Sequence, residues 1–218
     1  MSSNLRRITM YLASIWLGFA SAASAAYDFP VDSESIREAY FLGRRNDEKT
    51  IRFLASYIKR LPSPEKGPHI SEISLYTPYA QIVLNSSRNA SLNSAQQAEQ
   101  EYRTLGDTIH VRVVIEFTPT FNAMVGVRPD KDAAGKEALV RRSDDFWREF
   151  QYELRQNKNV IKPRSTGGKP IYSDSGFSGA EVQLEYDAKS VASEETTFEV
   201  STQDDHHVTA QFDLSELR

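Results

Sequence analysis

The 218-residue sequence predicts an α+β protein in which N-terminal helices pack on a C-terminal antiparallel β-sandwich. Two observations carry this. Apolar residues recur at helical spacing as far as Gly106, and from Thr108 onward they alternate with polar ones, which is the period of a strand with one buried face. The alternating stretches are also short and separated by polar turns, as in antiparallel all-β architectures. The resulting division is a cleaved leader over residues 1–25, a mainly helical region over 26–106 and a sandwich region over 107–218. Helices and sandwich are expected to form one compact unit.

The leader reads as a secretory signal peptide. Arg6 and Arg7 precede an apolar run from Ile8 to Ala20, and small residues follow. A membrane helix needs about 20 apolar residues, so this run favours export with cleavage over anchoring. Ala23 and Ala25 place cleavage after Ala25, with Ala26 an almost equal site. No cysteine follows the run to carry a lipid, and no second apolar segment of membrane length appears. The expected product is a soluble periplasmic or extracellular chain.

In the helical region, Ser35 with Glu38 has capping-box spacing, Ile36, Ala39 and Tyr40 share a face, and Gly43 is placed to end the helix. A second helix is expected from Asp47 to Leu61, with Ile51, Leu54, Tyr57, Ile58 and Leu61 at helical spacing and Pro62 as its stop. Thr77 and Pro78 cap and open a third. Ser94 with Gln97 opens a fourth, which Gly106 closes. The polar stretch from Asn85 to Asn93 between them reads as a loop.

Among the strands, Ile109, Val111, Val113, Ile115 and Phe117 alternate with His110, Arg112, Val114 and Glu116, which puts His110 and Arg112 away from the main core. Replacing Val113 with Asp is therefore expected to be severe, and replacing Arg112 with Asp mild. Further strands are expected at Glu181–Tyr186, Thr196–Ser201 and His207–Leu214, completing an Ig-like class of architecture. The segment from Phe146 fits either a helix capped by Ser143 or a hairpin turning at Asn157–Asn159, and the hairpin is preferred.

The formal net charge is −4, and loss of Arg6 and Arg7 with the leader makes it −6, which argues against a general nucleic-acid binder. The absence of cysteine excludes disulfides, thiolate metal sites and cysteine nucleophiles. A mature chain of about 190 residues can bury enough core to do without such staples. Two sequons, at Asn85 and Asn89, have meaning only in a eukaryotic host.

Four stretches invite a chemical reading. Asp204, Asp205, His206 and His207 fall where a hairpin turn is needed, and neighbouring strand residues face opposite ways, so a turn is favoured over a metal site. Asp130 to Arg141 imitates a calcium loop, but Arg141 stands where the bidentate glutamate belongs. Lys162 to Pro170 sets basic residues around Gly167 and Gly168 and could meet an anion, yet lacks P-loop spacing and reads as a flexible turn. Trp147, in the strand reading, shares a face with Glu149, Gln151, Glu153 and Arg155. There it is a candidate binding-surface aromatic, weighed against burial under the helices.

No catalytic residue, cofactor or metal is assigned. The expected function is an exported, non-enzymatic binding or structural module of the cell envelope or extracellular space, with an unidentified protein or glycan partner. The alternative is a carboxylate-dependent envelope hydrolase or carbohydrate-active enzyme, since paired carboxylates can cleave glycosidic bonds at a separation that a sequence does not reveal.

Overall fold

The computed structural model describes residues 27, 29–88, 94–127, 138–174, 176–202 and 206–218. The leader with its Ala25 and Ala26 cleavage sites, Asn89, residues 130–137 and the pair Asp204 and Asp205 lie outside them. The fold is mixed α+β and rich in sheet, with four helices and eleven strands among the described residues.

Helix α1 spans Ser33–Arg45, and its N-cap is Asp32, whose side chain accepts from the Ser35 amide at 2.7 Å. The Ser35 cap expected from spacing therefore lies one turn too far in. The helix ends at Asn46, in the left-handed region at φ 46°. Gly43 does not terminate it. Helix α3 (Pro78–Arg88) approaches so closely that a Cβ on Gly43 would sit 2.3 Å from the Val83 carbonyl oxygen. Helix α2 is shorter than expected, Glu48–Ala55 behind its Asp47 cap. The apolar residues Tyr57, Ile58 and Leu61 fit a helical stripe, but Ile58–Arg60 form strand β1 and pair antiparallel with β2 (His69–Tyr76), so tertiary pairing overrides local period. Helix α4, Ala95–Leu105, has the expected reciprocal Ser94–Gln97 capping box. Asn85 to Arg88 belong to α3 rather than to a loop.

The remaining strands are β3 (Thr108–Glu116), β4 (Met124–Val127), β5 (Ala138–Arg141), β6 (Gln151–Gln156), β7 (Asn159–Ile161), β8 (Ser165–Ser173), β9 (Gly176–Asp187), β10 (Glu195–Ser201) and β11 (His207–Asp213). All pairings are antiparallel. One sheet runs β1-β2-β3-β9-β8, a second β11-β10-β6-β7, and β4 and β5 form a two-stranded ribbon. One continuous apolar cluster takes Ile73, Val111, Val113, Val182 and Leu184 from the first sheet and Leu154, Phe198, Val200 and Phe212 from the second. A smaller cluster joins α1, α3 and α4 through Ile36, Ala39, Tyr79, Val83 and Ala98, and Phe53 touches both clusters.

The segment from Phe146 resolves into two parts. Phe146–Glu149 form a 3-10 turn, and the preferred hairpin begins only at Gln151, turning at Asn157 with φ 53°. Trp147 is thus off the strand and 5% exposed, so it is packed and not the aromatic of a polar surface. A Cβ on Gly168 would lie 2.4 Å from its indole Cε2, so the ring occupies the space that glycine leaves. That contact exists because Lys162–Pro170 is no flexible turn: from Ser165 it is strand β8, in register with β9.

Among the described residues no helix is long and apolar enough to cross a membrane.

Candidate functional site

Strand alternation builds a polar face on the five-stranded sheet. Directly paired residues share a face, and the register assembles three rows: Tyr76–His110–Glu185–Ser165, Ser74–Arg112–Gln183–Gly167 and Glu72–Val114–Glu181–Lys169. Helix α3 overhangs the first two rows with Gln81, Leu84, Asn85 and Arg88, and Leu105 of α4 closes one side. The cleft so formed encloses about 950 Å³, open solvent included. Its lining is more polar than apolar. The Gln81 side-chain amide donates to the carbonyls of Thr108 (2.6 Å) and Tyr76 (3.2 Å), which holds α3 over the strand ends.

The charges of this face satisfy one another. Arg112 Nη1 donates to Glu72 Oε1 at 2.6 Å and its Nε to Glu181 Oε2 at 3.2 Å, while Lys169 Nζ lies 3.1 Å from Glu181 Oε1. Burial pushes the Glu181 carboxyl up. Hydrogen bonds from Gln183 and Lys169 and the charges of Arg112 and Lys169 outweigh that and hold it below the usual glutamate range. Burial lowers the His110 imidazole, partly opposed by Glu185, so the ring favours its neutral form. Glu185 accepts from the Ser165 hydroxyl at 2.9 Å.

A hydroxyl, an imidazole and a carboxylate do meet here, but not as a relay. Thr108 Oγ1, at 3.1 Å, and Glu185 Oε1, at 3.8 Å, both approach the same nitrogen, Nε2 of His110. A triad uses opposite nitrogens, one taking the nucleophile's proton while the other is oriented by the acid.

Of the four stretches singled out from sequence, Lys162–Pro170 contributes Gly167 and Lys169 to this face, and the other three fall elsewhere. His207 Nδ1 lies 2.9 Å from Glu199 Oε1 and 2.9 Å from Ser201 Oγ, on the four-stranded sheet, and His206 is exposed. The Glu199 carboxyl is held low, first by its hydrogen bond from His207, against burial and with help from Ser201 and Arg155. Arg141 pairs with Asp144 at 2.5 Å. Among the described residues, no three histidine or acidic side chains are placed to hold a metal. Asn85, in the first sequon, lies within α3 and lines the cleft. Sequence reasoning missed Glu181, Gln183 and Glu185 as a site. Their alternation in "EVQLEY" was the available signal, but the register that sets them beside Arg112 and His110 was not.

No protein-family model and no curated protein matches the chain.

Proposed function

We propose that this chain is an exported, non-enzymatic binding module whose ligand site is the cleft between α3 and the polar face of the five-stranded sheet. The observation that carries this reading is the Glu72–Arg112–Glu181–Lys169 network. A carboxylate hydrolase needs an acid with a raised pKa to protonate a leaving group. Here Glu181 is held ionised and paired, while the amides of Gln81, Asn85 and Gln183 and the guanidinium of Arg88 line a concavity suited to a hydrophilic ligand. The finer architecture belongs to the same proposal: an Ig-like β-sandwich with the helices packed on it. It is supported by the single apolar cluster drawn from both sheets and by Phe53, which touches that cluster and the helical one.

The test uses native protein recovered from the exported fraction. It is expected to begin at Ala26 or Tyr27 and to turn over no member of a panel of chromogenic glycosides and esters. Intact Met1 in the cytoplasm overturns the export reading. Turnover abolished by Glu181→Gln or Glu185→Gln replaces the binding module with the hydrolase.

A further inference from the structure

We propose that the free edge of β8 binds an extended acidic peptide segment by strand addition, independently of any ligand in the cleft. Among the described residues β8 ends the five-stranded sheet, and no further strand pairs with it. Which of its backbone groups face outward follows from one bond. The Phe117 amide donates to the Ser178 carbonyl at 2.9 Å, so in β9 the even-numbered residues bond to β3 and the odd-numbered ones turn toward β8. Gln183 and Glu181 pair with Gly167 and Lys169, so the odd-numbered residues of β8 are the ones bonded to β9. Thr166 and Gly168 therefore direct both N–H and C=O to the open edge. Pro170 directs a carbonyl there, and its missing donor costs the ladder nothing.

Long open edges are normally shortened, covered or broken. β1 and β7 have three residues each, and β11 faces β1 across a groove lined by Lys59–Leu61 and Thr209–Gln211. The C-terminal half of β8 is guarded by Pro170, by the register shift between Ile171 and Tyr172, and by Arg141 donating to the Tyr172 hydroxyl at 3.1 Å. Its N-terminal half, Ser165 to Lys169, is exposed throughout. Two glycines lie in that half. Trp147 accounts for Gly168. Gly167 has no atom within 4 Å of an added Cβ and no left-handed backbone, so neither packing nor conformation calls for glycine there. With no register shift at Gly167, the remaining uses of a strand glycine are close approach by a ligand or by another backbone, and strand addition supplies the second.

Charge selects the occupant. Lys162 and Arg164 precede the open stretch and Lys169, already paired with Glu181, closes it, and no acidic residue occurs from Lys162 to Ser173. A second copy laid antiparallel along β8 brings two basic strands together, whereas an acidic strand meets complementary charge while main-chain bonds supply affinity.

The experiment is fluorescence anisotropy of the mature chain with a labelled seven-residue peptide alternating glutamate and valine, beside its lysine counterpart, combined with amide hydrogen exchange. The acidic peptide is expected to bind at least tenfold more tightly than the basic one and to slow exchange at Thr166 and Gly168. Thr166→Pro removes an outward donor without touching a bond to β9, and is expected to fold and to lose at least tenfold in affinity. Asn85→Trp, which fills the cleft from α3, is expected to leave peptide binding unchanged, so failure of the cleft reading and failure of this one are separable. Equal binding of both peptides, full affinity in Thr166→Pro, or protection confined to other strands overturns the proposal. So does a dimer of the chain that Thr166→Pro dissociates, because the edge then belongs to a second copy.

Discussion

Arg112 stands between Glu72 and Glu181, and its two ion pairs change what a substitution there does. Alternation alone makes Arg112→Asp mild. In the structure the new carboxylate meets two others on a half-buried face, with the cation that held them gone. A loss of about 1–3 kcal/mol is expected, between the ranges for exposed and for buried pairs. Val113→Asp, at a position with no exposure, buries an unpaired carboxylate and is expected to cost at least as much. Thermal melts in one buffer compare them, and an Arg112→Asp variant as stable as the parent contradicts the network. His110 makes the second prediction at this scale. Its folded pKa lies below the ordinary value of 6.5, so the unfolded chain takes up this proton at higher pH than the folded one. This group's contribution makes stability fall as pH drops through about 6.5 and level off once the pH is below the folded value. His110→Gln is expected to flatten the melting-temperature profile between about pH 5 and 7. An unchanged slope shows that the ring is not desolvated as described.

At the scale of elements, β8 and the 3-10 turn carrying Trp147 are each other's explanation. Gly168→Ala drives a Cβ into the rigid indole and is expected to cost about 1–3 kcal/mol, as overpacking does. Gly167→Ala, one residue along and unobstructed, is expected to be neutral or to stabilise by up to about 1 kcal/mol. Equal melting temperatures for the two variants contradict the packing. The same elements show what the sequence made legible. The helix start at Asp47, the Ser94–Gln97 box and the alternation of β3 were readable because each is decided within a few residues. β1 was not, since Tyr57, Ile58 and Leu61 also fit a helical stripe and only pairing with β2 decides between them. β8 was missed because its glycines imitate a turn, and the reason for one of them is an aromatic 21 residues earlier in the chain. The cleft was half legible: alternation exposed Arg112, and the facing register of β9 was out of reach.

For the whole molecule, topology is what turns scattered polar residues into one face. β1 and β2 come from the mainly helical N-terminal region, yet they join β3, β9 and β8 in a single sheet, and the α3–α4 connection between β2 and β3 supplies the overhang. We propose that this face binds and does not catalyse, since the partners of Glu181 favour its ionised form. A carbon-13 NMR titration of the glutamate side-chain carboxyls in the mature protein tests it most directly. Glu181 is expected to titrate below the ordinary glutamate range, and to move back toward it when Lys169 is replaced by Met. A cleft carboxyl titrating near pH 6, with Glu181 indifferent to Lys169, is the signature of a reserved catalytic proton and contradicts a binding role without catalysis.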